Sequence, residues 1–335
     1  MAGARVADRR GRRLDHRGSS DMNFQQLRII RETVRQNFNL TEVAGALYTS
    51  QSGVSKHIRD LEGELGVELF IRRGKRLLGL TEPGKELAVI VDRMLVDAAN
   101  IKKLSQQYAD QDEGKLTIAT THTQARYALT GVVQEFVKAF PKVHLALHQG
   151  SPPEIADMLL SGQAEIGIAT ETLAITPQLA TFPYYTWHHG VVVPKGHELE
   201  QASPLTLEAI AEHPIVTYHD GFTGRGNIDK AFHEARLSPD IVMSAMDTDV
   251  LKTYVGLGLG VGIIAAVAFD AKRDAPLRLL PADNLFPPNT TWIAVRRGSY
   301  LRRYAYRFIE LCAPALTEVT VRKGSAPPAE VVSAK

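Results

Sequence analysis

Between residues 25 and 65 the apolar positions recur every three or four residues in three consecutive runs. In Gln25 to Gln36 they are Leu27, Ile30 and Val34, with Phe38 following. In the next run they are Val43, Ala44 and Leu47, and in the third Val54, Ile58, Leu61 and Leu65. That spacing is the helical period and predicts three short amphipathic helices. A tight polar turn separates the last two, and Ser50 or Gln51 opens the third. Its outward face carries Gln51, Ser52, Ser55, Lys56 and Arg59, short hydrogen-bonding side chains and cations suited to base edges and phosphates. The pair reads as a helix-turn-helix with the third helix as the recognition helix. Helical hairpins are common in any α-rich protein, so the segment that follows matters. Leu69-Phe70-Ile71, the basic turn Arg72 to Arg76 around Gly74, and Leu77 to Leu80 predict a β-wing. Cations such as Arg72, Arg73 and Lys75 at a hairpin tip suit phosphate or minor-groove contact.

Glu82-Pro83-Gly84 then opens a long helical pattern reaching about Tyr108. Leu87, Val91, Met94, Ala98, Ile101 and Tyr108 form a seam along it. The seam either packs on its own domain or pairs with a second copy, and its length favours a dimerising linker helix. Gln111 to Gly114 marks a hinge. From Lys115 strands and helices alternate. Strands are expected at Leu116–Thr120, Val143–His148, Glu165–Thr170, Gly190–Val193, Ile215–Tyr218, Ile241–Ala245 and Trp292–Val295. Helices are expected at Gln124–Phe140, from the capping box at Ser151 to Leu160, at Ile228–Arg236, Val250–Gly256 and Leu301–Leu311. This predicts an α/β domain with mostly parallel sheets, with crossovers between two lobes near 181–185 and 282–291. The expected organisation is a disordered extension (1–21), a winged helix-turn-helix (22–80), a linker helix and hinge (81–113), and an α/β effector-binding domain (114–316). Its lobe I comprises 114–182 and 286–316 and its lobe II 183–285; a disordered tail (317–335) follows.

The net charge of the 335 residues is only +2, so any nucleic-acid affinity must come from local basic clusters. The single cysteine, Cys312, excludes an internal disulfide and a cysteine-based zinc site, and its apolar neighbours predict a buried thiol. The first 21 residues are Arg-rich without an apolar core, unlike a secretory signal, and Met22 is a candidate start. The longest apolar stretch, Val255 to Phe269, is too short to span a membrane and is interrupted by four glycines. A cytoplasmic protein with no membrane partner is expected.

Three predicted strand ends are rich in hydroxyls: Thr120 to Gln124, Thr170-Glu171-Thr172, and Gly221 to Arg225. Ligands of open α/β sheets bind beyond such ends. Thr121, His122, Thr123, Gln124, Thr170, Thr223 and Gly224 are therefore the candidate ligand-binding residues. For any one threonine, helix capping is the simpler account; three such ends in one α/β unit favour a site that holds a small polar molecule by hydrogen bonds. No G-x-S-x-G elbow or P-loop is present. His188-His189 is adjacent rather than at helical spacing, a poor metal pair. No catalytic residue, metal site or cofactor is expected, so an enzyme on this scaffold lacks its chemistry. A transport solute-binding protein would share the two lobes but not the DNA-binding segment.

The order of parts resembles the LysR-type transcriptional regulators, on the residues Ala44 to Arg72 (AGALYTSQSGVSKHIRDLEGELGVELFIR). Ser52 departs from the proline that the family usually carries there. Within the family the chain resembles the CysB-like subgroup, on Thr120 to Leu129, His148 to Pro152, Ala169 to Glu171, Gly221 to Arg225 and Asp249 to Gly262. That resemblance implies a type 2 periplasmic-binding-protein-like effector domain and a homodimer or homotetramer on double-stranded promoter DNA. It further implies activation of sulphur-assimilation and cysteine-biosynthesis genes, RNA polymerase as a further partner, and an inducer such as N-acetylserine or O-acetylserine, with sulphate-like anions also binding. The matching cleft positions are Thr121, Thr123, Gln124, Thr170 and Thr223.

Overall fold

The computed structural model describes residues 22–109, 112–170 and 172–327. The expected extension 1–21, Gln111 of the hinge, Glu171 and residues 328–335 of the tail lie outside the described residues. The chain divides into two compact units, Met1–Ala99 and Asn100–Lys335.

In the first unit, α1 (Phe24–Arg35), α2 (Leu40–Ala46) and α3 (Gln51–Leu65) each begin at a side-chain cap. Asn23 forms a capping box with Gln26, Asn39 accepts from the Thr41 and Glu42 amides, and the Ser50 hydroxyl accepts from the Gly53 amide at 3.1 Å. Each cap satisfies amide groups that the first helical turn leaves unpaired. Leu27, Ile30, Val43, Val54, Ile58 and Leu61 meet in one core with Leu69 and Phe70, the apolar faces expected from the sequence. The wing is the antiparallel pair β1 (Phe70–Arg73) and β2 (Arg76–Leu80). Its turn is only Gly74-Lys75, shorter than the expected Arg72–Arg76, because Arg73 and Arg76 are already paired across the ladder.

Helix α4 (Glu82–Ala109) carries the expected seam, which divides. Leu87 and Val91 join the core of the first unit with Leu95. Met94, Ile101 and Tyr108 are 36%, 70% and 79% exposed.

The second unit holds two five-stranded sheets. The first contains β3 (Gly114–Thr120), β4 (Val143–Gln149), β5 (Ile166–Ala169), β6 (Leu179–Trp187) and, from much later in the chain, Asn289–Arg296. The second contains β7 (His189–Pro194), β8 (Ile215–Tyr218), β9 (Ile241–Ala245), β10 (Val261–Ala265) and β11 (Leu277–Pro281); Asn289–Arg296 is β12. Strand orders are β4-β3-β5-β12-β6 and β11-β7-β10-β8-β9. Both sheets are mixed rather than mostly parallel. Each has two parallel and two antiparallel pairings, because the strands that cross between sheets return against the βαβ direction. The crossing falls at His188, later than expected, since β6 stays paired with β12 through Trp187↔Asn289. Helices cover both faces, so alternate strand residues enter different cores. Ile293 and Val295 of β12 enter one and Ala294 the other; Val191 and Val193 of β7 enter one and Val192 the other.

The helices of this unit are α5 (Thr130–Ala139), α6 (Pro152–Ser161), α7 (Thr172–Ile175), α8 (Leu207–Ala211), α9 (Arg225–Glu234), α10 (Thr248–Gly256), α11 (Arg303–Cys312) and α12 (Glu318–Gly324). The expected capping box at Ser151 and Glu154 opens α6. The expected helix Gln124–Phe140 is broken: residues 124–128 form a π-helical turn, in which the Leu129 amide donates to the Gln124 carbonyl at 3.0 Å. The expected helix end at Gly256 closes α10, and the glycines that follow lead into β10; a Cβ at Gly260 would lie 2.2 Å from the Pro214 carbonyl oxygen. Cys312 stands half-buried against the first sheet's core, and burial pushes its thiol up to about 12. Among the described residues, no helix is long and apolar enough to cross a membrane.

One correction concerns the tail. Residues 317–327 are not disordered: Thr317 caps α12, and Val321 is fully buried in the core of the first sheet. Val321→Ala should lower the stability of the effector domain by about 2 kcal/mol, read from the denaturant midpoint; a disordered segment would leave it unchanged.

Candidate functional site

The recognition helix and the wing enclose a groove of about 470 Å³, lined by Gln51, Ser52, Ser55, Arg59, Arg72, Gly74 and Lys75. Six of the eight residues expected at the DNA thus share one concavity. Lys56 and Arg73 are exposed but do not line it. Ser52 leaves the helix start regular: its hydroxyl lies 3.1 Å from the capping hydroxyl of Ser50, and α3 begins at Gln51. Glu62, overlooked in the sequence, sets the wing. Its carboxylate accepts from the amides of Leu69 (2.9 Å) and Phe70 (3.3 Å) and pairs with Arg72. Recognition helix and wing are therefore tied by charge-assisted bonds.

In the second unit the expected ligand residues lie beyond the C-terminal ends of parallel strands, where α/β sheets bind ligands. Thr121 to Gln124 follow β3, Thr170 follows β5, and Thr223-Gly224 follows β8 and precedes α9. Thr121, Thr123, Gln124, Thr170, Thr223 and Gly224 are all buried; His122 is half-buried. Thr223 sits at φ 42°. For a β-branched residue this left-handed conformation costs on the order of 1–3 kcal/mol, and such strain concentrates at functional sites.

The two lobes meet along a polar seam at this site. The Thr123 and Thr248 hydroxyls lie 3.4 Å apart, and His122 Nδ1 lies 3.2 Å from Asp247 Oδ1. Arg126 pairs with Asp249, to which the Tyr127 hydroxyl also donates at 2.5 Å, while Lys252 donates to the Tyr127 oxygen at 3.1 Å. Lys252 also bonds the Ala268 carbonyl and Asp274, each at 2.9 Å. Burial opposes charging Lys252, but its bonds to Asp274, Tyr127 and Asp249 raise its pKa. Burial likewise works against the Asp249 carboxylate, and the bonds from Tyr127 and Lys252 more than offset it. The charges are thus matched within the seam, and the buried threonines and Gln124 beside it supply hydroxyls and an amide.

Several participants carry no signal in the sequence, because long-range pairing brings them in. Thr248, fully buried, lies 2.8 Å from the Tyr218 hydroxyl, which also accepts from the Ala265 amide at 3.0 Å. Burial pushes the Tyr218 phenol up to about 12. Gln124 is held from both ends: its carbonyl accepts from Tyr185 at 2.7 Å, and its amide donates to Thr291 at 3.3 Å. Trp187 also donates to Thr291, at 3.1 Å. Such bonds fix the otherwise free side-chain rotamers of the site. Among the described residues, no three His, Cys, Asp or Glu side chains are placed to hold a metal.

Residues 24–85 match the bacterial regulatory helix-turn-helix proteins of the lysR family, and residues 109–317 match the LysR substrate binding domain. The chain is 59% identical to the HTH-type transcriptional regulator SsuR of Burkholderia cenocepacia over 300 residues, 90% of this chain and 97% of that one. It is 53% identical to the regulator Cbl of Escherichia coli and 51% identical to CysB of Burkholderia cenocepacia, in each case over 90% of this chain and 96% of the relative. The cofactor-binding domain of the Cbl transcriptional regulator superposes with a TM-score of 0.62 at 49% identity, covering 64% of this chain and 93% of that one. A full-length OxyR variant from Pseudomonas aeruginosa, 22% identical, shares the fold with a TM-score of 0.60 over 88% of this chain and 94% of its own. The chain belongs to the LysR family of transcriptional regulators, alongside SsuR, Cbl and CysB, and is a regulator rather than an enzyme.

Proposed function

We propose that this regulator is a cytoplasmic activator of sulphur-assimilation and cysteine-biosynthesis genes, and that it senses N-acetylserine, O-acetylserine or a sulphate-like anion. The observation that carries this reading is the buried hydroxyl and amide cluster beyond β3 and β5 of one lobe and β8 of the other, with Thr248 of α10 beside it. A small oxyanion or an acetylated amino acid offers such a cluster many acceptors, and hydroxyls with helix-start amides can hold an anion without a full countercharge. The identity to SsuR, Cbl and CysB supports the same physiological setting.

In this reading Gln51, Ser52, Ser55, Lys56 and Arg59 read the major groove, and Arg73 and Lys75 meet phosphates. The exposed Met94, Ile101 and Tyr108 of α4 pair with a second copy, in a dimer or tetramer. RNA polymerase is the partner through which bound protein activates. The effector acts by favouring one arrangement of the lobes, which requires differential affinity for that arrangement.

Three tests follow from these assignments. Gln51→Ala combined with Ser55→Ala should abolish a specific footprint upstream of a sulphur-assimilation operon and leave calorimetric affinity for N-acetylserine unchanged; an intact footprint removes the recognition helix from base contact. Thr121→Ala and Thr223→Val should each weaken N-acetylserine or sulphate binding several-fold, since each loses a hydrogen bond worth about 1 kcal/mol. Unchanged affinity in both removes these residues from the site. Tyr127→Phe, which deletes one hydroxyl from the seam between the lobes, should weaken effector binding without altering promoter affinity in the absence of effector, measured by fluorescence anisotropy.

A further inference from the structure

His189 is the first residue of β7, just past the crossing between the lobes, and is fully buried. Its Nε2 lies 3.1 Å from the Thr223 carbonyl oxygen. A carbonyl only accepts, so Nε2 carries the ring proton and Nδ1 is the acceptor. Asn289 Nδ2 lies 3.3 Å from Nδ1 and donates to it. The Asn289 carbonyl in turn accepts from Asn227 Nδ2 at 2.8 Å, which fixes the orientation of its amide. One chain of hydrogen bonds therefore runs from α9 through β12 and β7 to the backbone of Thr223. Trp187 and Phe286 pack edge-on against the ring, with centroids 5.0 and 5.7 Å away.

The backbone held by this chain has little freedom of its own. Thr223 is left-handed at φ 42° and Gly224 at φ 70°. A Cβ on Gly224 would lie 2.3 Å from Asn289 Oδ1 and 2.8 Å from His189 Cε1, so only glycine lets the turn close onto the pair. Packing alone would be served by any flat ring. A buried imidazole with both nitrogens matched to directional partners specifies where one carbonyl must be.

We infer that His189 is a positioning residue for effector binding: with Asn289 it clamps the Thr223 carbonyl and so holds the left-handed Thr223-Gly224 turn that places the Thr223 hydroxyl in the cleft. The inference rests on the proposed reading of Thr223 as an effector-binding residue. Because the clamp starts from His189 of β7 and Asn289 of β12, it ties the turn to the crossing between the lobes.

The test compares His189→Gln with His189→Phe in the full-length protein. The glutamine amide can still donate to the Thr223 carbonyl; phenylalanine keeps the flat ring and cannot. N-acetylserine and sulphate serve as calorimetric probes, and hydrogen exchange of the 223–226 amides reports the turn without any ligand. His189→Phe should lose at least tenfold in affinity and exchange at least tenfold faster in this turn, while His189→Gln stays within about threefold of wild type on both. Equal affinity and exchange in His189→Phe and wild type overturn the inference, as does an equal loss in His189→Gln and His189→Phe. Should His189→Phe fail to fold, Asn289→Ala, which frees the ring, should show the same faster exchange, and unchanged exchange there overturns the clamp. If the wild type binds neither probe, the effector reading fails, and the exchange comparison still decides the clamp.

Discussion

The pairing of β6 with β12 is the constraint on which the effector domain depends. These two strands run side by side from Leu179↔Arg296 to Trp187↔Asn289 and carry the chain between the sheets in both directions. Everything between them, from His189 to Pro288, is one lobe with its own five-stranded sheet. The parallel strands of each sheet then end beside the crossing, and the segments that follow β3 and β9 come within hydrogen-bond reach of each other. Strand ends from two sheets are thereby brought close together, independent of which side chains stand there. The chemistry is added locally, by threonines at the ends of the strands and by the Gln124–Tyr185–Thr291–Trp187 bonds that brace them.

Much of this was legible in the sequence, and the physical reason differs from element to element. The helices of the N-terminal unit announce themselves through a clean helical period and side-chain caps, both local properties. The strands β8 and β9 were readable from their apolar, β-branched runs. Strands β6 and β11 were not: β6 contains Pro183 and alternates poorly, and β11 is held mainly by its pairing to β7. The sequence of residues 124–140 has a helical pattern throughout, yet the side chain of Gln124 is drawn inward by partners more than sixty residues away, and the first turn widens into a π-helix to allow it.

The candidate site divides in the same way. Threonines clustered at strand ends are visible in one dimension, so Thr121, Thr123, Thr170 and Thr223 could be picked out. Thr248 follows a strand as well, but it stands alone between two aspartates, of which Asp247 caps the helix. His189 was set aside as a poor metal partner for His188, and its role depends on Asn289, a hundred residues distant, which no local pattern reveals. Hydroxyls grouped at strand ends leave a compositional trace; the residues that hold them leave one only in the contacts.

The carboxylate of Glu62 carries a consequence for how this protein meets the ionic atmosphere of DNA. The wing and the recognition helix expose a dense set of arginines and lysines, and each cation that neutralises a phosphate releases a condensed counterion. Arg72 is already neutralised within the fold, by a carboxylate that also holds two backbone amides and is only 11% exposed. Its charge is spent on rigidity rather than on counterion release. The dependence of affinity on salt is then shallower than a count of basic residues would give, and more of the discrimination between sites is left to shape and to base edges.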